Sequence, residues 1–219
     1  MKDDTYLLRV AELPRLGQRV SLRILHMMGW RVRYKPLPGP HGVAVFYPHT
    51  SNWDVFIGLF ARWAIGLPFR WLAKEALFNG FAGKTIGPVL RRWGAVAVER
   101  RASTGATQRL AEVMHEHEWF WVALAPEGTR GYRPNWRSGF YHLAVAAKVP
   151  LLVVYMDFPN KEIGVFSYLD LTGDQEADMA AIRKVYEGRH GLHPEYESPI
   201  ELAPPREPND RPNVERRRA

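Results

Sequence analysis

The 219-residue chain contains no cysteine. That excludes disulfides, thiolate-ligated metals and a cysteine nucleophile, and it leaves the redox character of the compartment unread. Long apolar runs are missing too. The nearest approach, residues 55–72, is broken by Arg62, Pro68 and Arg70, whereas a spanning helix needs about 18 or more nearly uncharged apolar residues. The start, with Lys2, Asp3 and Asp4, lacks a signal-peptide layout. A cytoplasmic protein, peripheral on the inner face of the membrane, is the resulting expectation. Internal repeats are absent. Acidic side chains are in deficit: 30 Lys and Arg against 23 Asp and Glu leave a net charge of +7. Such a surplus suits nucleic acid or an anionic membrane, but no nucleic-acid recognition motif is present.

The position of the charge favours the membrane. Residues 1–36 hold eight Lys and Arg against Asp3, Asp4 and Glu12. Within them Leu13, Leu16, Val20, Ile24, Met27 and Met28 recur at helical spacing, with Arg15, Arg19 and Arg23 along the flank. A helix lying in an anionic lipid interface needs such an apolar face bordered by arginines. A helix packed on the domain core shows the same pattern, so both placements stand at this point.

Hydrophobic periodicity and turn residues predict strands over 31–35, 43–48, 70–73, 94–98, 119–124, 151–156 and 163–169. Helices are predicted over 12–29, 52–66, 82–92, 104–117, 137–147 and 174–188. The alternation predicts an α/β fold, a mixed and largely parallel sheet covered by helices. Three parts are expected: a basic amphipathic region at 1–36, a main domain at 37–198, and a tail at 199–219. That tail holds Pro199, Pro204, Pro205, Pro208 and Pro212 and few apolar residues, and reads as a mobile end or a loose arm.

Chemistry concentrates where apolar runs end. After Val43–Tyr47 comes His49-Thr50-Ser51-Asn52-Trp53-Asp54, at a strand-to-helix turn. On one continuous helix, positions five apart lie roughly 140° from each other. With His49 in the turn and Asp54 in the first helical turn, the carboxylate can reach back and fix the imidazole tautomer, which makes a general base. Ser51 or Asn52 is available as the helix cap. After 119–124 comes Ala125-Pro126-Glu127-Gly128-Thr129-Arg130-Gly131, where an arginine beside turn amides and a hydroxyl suits a phosphate or phosphoryl ester.

In these blocks the chain resembles the glycerolipid acyltransferases, which transfer a fatty acyl group onto glycerol phosphate or lysophosphatidate. His49-x4-Asp54 matches the first motif and Pro126-Glu127-Gly128-Thr129-Arg130 the third. Gly94 to Arg100 matches the second, with Ala97 where an aromatic is usual and Glu99 where Asp is common. Val149-Pro150 resembles the fourth, without its frequent second proline. Pro48 before the histidine and Gly131 after Arg130 depart from the pattern and touch no residue of proposed chemical role. The resemblance covers roughly residues 40–170.

The resemblance implies direct transfer from an acyl-CoA or acyl carrier protein thioester to a lysolipid or glycerol-phosphate hydroxyl, with no cofactor and no metal. His49 would be the base and Asp54 its partner. Arg100, Glu127, Gly128, Thr129 and Arg130 would bind the acceptor, Glu127 by orienting Arg130 or an acceptor hydroxyl. Helix-start amides would face the oxyanion or a phosphate. Arg91 and Arg92 read as surface charges facing membrane or CoA. Phe56, Phe60, Trp63, Phe69 and Trp71 suit an acyl groove, an interface or the core. A lipid-binding protein of the same fold without turnover, or transfer to an amino-acid or sugar lipid, is the alternative. His115-Glu116-His117-Glu118 has poor ligand spacing for a helix and reads as a polar helix end. Arg189 to Pro194 reads as a helix stop without a catalytic role.

Overall fold

The computed structural model describes residues 6–66, 69–74, 78–98 and 105–204. Its strands are β1 (Tyr6–Leu7), β2 (Arg31–Tyr34), β3 (His41–Tyr47), β4 (Arg70–Lys74), β5 (Ala95–Val98), β6 (Phe120–Leu124), β7 (Leu151–Asp157) and β8 (Glu162–Leu169). Its helices are α1 (Leu16–Met27), α2 (Trp53–Ile65), α3 (Gly80–Thr85), α4 (Gly87–Arg92), α5 (Ala106–Glu116), α6 (Gly139–Ala147) and α7 (Gln175–Tyr186). The strands form one sheet in the order β1-β2-β8-β7-β3-β6-β4-β5. β8 runs antiparallel to β7 and β1 antiparallel to β2; the other neighbours are parallel. This is the mixed, largely parallel α/β sheet that the alternation predicts.

Side chains alternate across β3 and its neighbours and so build two apolar layers. Val43, Val45 and Tyr47 join Phe120, Val122, Leu151 and Val153 under α5, α6 and α7. Ala44, Trp121 and Leu152 lie in the opposite layer. On that side Leu22 and Leu25 of α1 meet Ile57 and Ala61 of α2. The Trp121 ring lies across Gly42, where an added Cβ would come within 2.2 Å of it. A glycine is therefore required in that strand for close approach.

Local chemistry explains the differences from expectation. The helix predicted from residue 12 begins at Leu16, because Pro14 forces Leu13 into extended backbone (φ −83°, ψ 130°). The helix predicted over 82–92 is two helices. Pro88 sits in the first turn of α4, where its missing N–H costs no hydrogen bond. β1 is two residues long, too short for alternation to register.

Both ends of the described chain are tied into the fold. Residues 6–36 are built into the domain: β2 pairs with β8, and Leu22 and Leu25 are fully buried. At the other end, the N–H of Trp136 donates to Glu201 O at 2.7 Å, and the N–H of Ala203 to Trp136 O at 3.0 Å. The chain thus stays bound past residue 198. Positions 205–219 lie outside the described residues.

Candidate active site

β3 and β6 are parallel neighbours, in register from His41↔Phe120 to Val45↔Leu124. The turns that follow them therefore leave the same sheet edge side by side, where crevices form at the carboxyl ends of strands. The N–H of His49 donates to Glu127 Oε2 at 2.7 Å. The two motifs, far apart in sequence, meet through this bond.

His49, Thr50, Ser51 and Asp54 are all buried. His49 Nδ1 lies 2.9 Å from Asp54 Oδ2. A carboxylate only accepts, so Nδ1 carries the hydrogen and Nε2 keeps its lone pair. The same Asp54 Oδ2 accepts the N–H of Ser51 at 2.9 Å, while Ser51 Oγ accepts the N–H of Trp53 at 3.1 Å. This reciprocal cap starts α2 and fixes the carboxylate relative to the ring. Asp54 Oδ1 is buried without a hydrogen-bond partner among the described residues. Phe46 packs edge-on to the His49 ring, 5.0 Å between centroids.

Two expectations change here. The amides of Ser51 and Trp53 are taken up inside the turn and that of His49 by Glu127, so these three do not face an oxyanion. Among the described residues the Glu127 carboxylate makes no hydrogen bond or ion pair with Arg130. Oε2 holds the His49 N–H and Oε1 the Ser198 N–H at 3.2 Å. Burial pushes this carboxyl up to about 7, against the lowering effect of those two N–H donors.

The rest of the third motif follows as a turn. The N–H of Gly128 donates to Ala125 O at 3.0 Å. Gly128 has φ +66° and sits over Arg137, whose Nε an added Cβ would meet at 2.6 Å. Only glycine combines that backbone with that space. Thr129 Oγ1 accepts the N–H of Gly131 at 3.4 Å, and Arg130 is exposed. Arg130 and Gly131 line a cavity of about 540 Å³ together with Thr50, Ser51, Asn52 and Trp53. Arg100 lies outside the described residues.

The remainder of that cavity comes from Leu192 and His193, in the stretch expected to be no more than a helix stop, and from Tyr196 just beyond it. No sequence pattern marks these residues, because only the return of the chain across the sheet edge brings them there. The His115 and His117 rings are engaged with backbone carbonyls, of Ala147 and Val113 respectively, at 2.8 Å each. The Arg91 guanidinium lies over the Phe78 ring at 5.2 Å.

α1 is apolar on two sides. Leu22 and Leu25 face the core, whereas Leu16 (73% exposed), Val20 (44%) and Met27 (80%) face outward. At about 100° per residue the two stripes lie on opposite sides of the helix. Of the stripe read from the sequence, Leu13 is therefore core and Leu16, Val20 and Met27 are surface. The start of α2 adds exposed Trp53, Val55 and Phe56, while Phe69 is buried. Gln18 Nε2 donates to Ala64 O at 3.1 Å, which pins the start of α1 to the end of α2. Among the described residues no helix is long and apolar enough to cross a membrane.

A family model described as Acyltransferase matches residues 32–157. Among solved structures, the chain is similar to the crystal structure of the 1-acyl-sn-glycerophosphate (LPA) acyltransferase, PlsC, from Thermotoga maritima. The identity is 19%, the TM-score 0.49, and the similarity covers 80% of this chain and 79% of that one. No curated protein matches the chain.

Proposed function

The chain belongs to the acyltransferase family, and from that premise we propose that it moves a fatty acyl group from a thioester to a hydroxyl of a lysophosphatidate-type lipid. His49 Nε2 takes the hydroxyl proton as the oxygen attacks the thioester carbonyl. The C–O bond forms and the C–S bond breaks. The imidazolium returns the proton to the departing thiolate, so base and ring are regenerated. Asp54 holds the ring and stabilises its cationic form. Arg130, at the rim of the adjoining cavity, binds the acceptor phosphate as a charge-assisted contact. Glu127 serves by position, tying the His49 backbone to Ser198.

The donor is acyl-CoA or acyl carrier protein, both acidic and both suited to a basic chain. The exposed apolar stripe of α1, flanked by Arg15, Arg19 and Arg23, and the apolar start of α2 rest on an anionic membrane surface, the inner face in a cytoplasmic protein. Trp53 belongs both to that surface and to the cavity lining. A lysolipid can therefore keep its acyl chain at the interface while its headgroup enters.

The observation that carries this reading is the buried His49 Nδ1–Asp54 Oδ2 contact at 2.9 Å beside a cavity bearing Arg130. Free-thiol release from acyl-CoA and from acyl carrier protein, with a panel of lysolipid and glycerol-phosphate acceptors, tests it. Acceptor-dependent release that vanishes in His49→Ala is expected. Release unaffected by that substitution, or none with any pair, would sink it.

A further inference from the structure

We propose that residues 188–198 form an acceptor-selecting strap, in which His193 and Tyr196 bind the acceptor headgroup in the cavity they share with Arg130. This rests on the acyl-transfer reading above and extends it to the choice of acceptor.

The strap is anchored on both sides of the site. Near its start, His190 O accepts the N–H of Phe158 at 2.9 Å, just past β7. In its middle, the N–H of His193 donates to Thr50 Oγ1 at 3.2 Å, on the residue after the base. At its end, the N–H of Ser198 donates to Glu127, and Tyr47 Oη donates to Ser198 O at 3.1 Å. Its own fold is tight: the N–H of Gly191 donates to Glu197 Oε1 at 2.7 Å, and the N–H of Tyr196 to His193 O at 3.0 Å. Gly191 lies against Thr50 so closely that a Cβ would come within 2.4 Å of Thr50 Oγ1.

What this frame presents to the cavity is a pair of rings with polar tips. The His193 and Tyr196 rings stand 5.6 Å apart, each a little under half exposed. His193 Nδ1 faces Glu195 at 3.5 Å. Among the described residues neither His193 Nε2 nor Tyr196 Oη has a hydrogen-bond partner. The Tyr196 hydroxyl, and a His193 ring with its hydrogen on Nε2, are held on a fixed loop beside one guanidinium and can donate to the oxygens of a phosphomonoester. A phosphodiester carries one fewer terminal oxygen and less negative charge, so it offers these donors and Arg130 less to bind.

The strap also lies beyond residues 32–157, the part of the chain matched by the family model. The headgroup wall therefore joins residues from inside and outside the matched part. The base, its carboxylate and Arg130 come from the matched part, while His193 and Tyr196 come from outside it.

The test is steady-state thiol release with lysophosphatidate and with lysophosphatidylcholine, using whichever donor supports wild-type turnover. Wild type is compared with His193→Ala, His193→Gln, Tyr196→Ala and Tyr196→Phe. Each alanine variant should raise KM for lysophosphatidate by about ten-fold, the loss expected for one hydrogen bond to a charged group. Preference over lysophosphatidylcholine should narrow, with donor KM and melting temperature held. His193→Gln should recover part of the loss and Tyr196→Phe none. Unchanged acceptor KM and preference in both alanine variants would overturn the strap assignment alone. So would a parallel rise in donor and acceptor KM with a falling melting temperature in every variant. Absence of acceptor-dependent, His49-dependent release in the wild type would overturn both the strap and the reading beneath it.

Discussion

Replacing Glu127 with Gln should flatten a pH dependence of stability, by an amount the burial of that carboxyl sets. Its side chain is 1% exposed, and burial raises its pKa from 4.5 to about 7. At about 1.4 kcal/mol per pKa unit this is on the order of 3 kcal/mol. Between those two values the folded protein keeps a proton that the unfolded chain has released. Stability is therefore full below about pH 4.5 and falls as pH rises, the contribution being lost above about pH 7. Glutamine cannot titrate, so this slope vanishes in Glu127→Gln. The amide also offers one acceptor oxygen to two backbone donors, His49 and Ser198. One N–H then faces an NH₂ group, at a cost of about 1–3 kcal/mol at any pH. Urea denaturation at pH 5 and pH 8 should find the variant less stable at pH 5 and the gap closed or reversed at pH 8. An equal gap at both pH values would refute the reasoning, because it would mean that Glu127 ionises as freely when folded as when unfolded.

Arg130→Ala should raise KM for a phosphorylated acceptor by about ten-fold to a hundred-fold, the range for a lost charge-assisted contact. An unphosphorylated monoacylglycerol should be nearly unaffected, and equal losses on the two would count against a phosphate site. Leu16→Glu with Met27→Glu should weaken binding to anionic vesicles by about ten-fold or more, since each apolar side chain is worth on the order of 1.5–3 kcal/mol when buried in lipid. Both residues are mostly exposed, so the melting temperature should hold, and sedimentation with vesicles measures the first effect while thermal denaturation checks the second.

The site was legible where a short motif carries its own geometry. His49 and Asp54 are five residues apart across a turn, and the cap that starts α2 brings them to 2.9 Å with local chemistry alone. The fold was legible for the same reason, because apolar runs separated by turn residues report strands and helices locally. Glu127 was read as orienting Arg130 or an acceptor hydroxyl, because a carboxylate contacts phosphate unfavourably. Its actual partners, His49 and Ser198, sit 78 and 71 positions away, and separations of that size leave no periodicity to read. The outward stripe of α1 was visible, but the opposing pair Leu22 and Leu25 was not read beside it, since a helix with two apolar sides blurs the single-face pattern. His193 and Tyr196 carried no signal because a wall residue needs only to be polar and in the right place.

The register between β3 and β6 works as a ruler for the chemistry. Each residue of a strand advances the chain by about 3.3 Å, and the bond from the His49 N–H to Glu127 Oε2 is 2.7 Å long. One residue inserted or deleted in either strand after the paired stretch would carry one turn past the other by more than that bond can follow. Trp121, wedged over Gly42, holds the same two strands from slipping. Length variation among proteins built this way should therefore be excluded from 41–54 and 120–130. It can collect where no such ruler applies, and there the chain can lengthen, shorten or be redesigned while the distance between base and carboxylate stays the same.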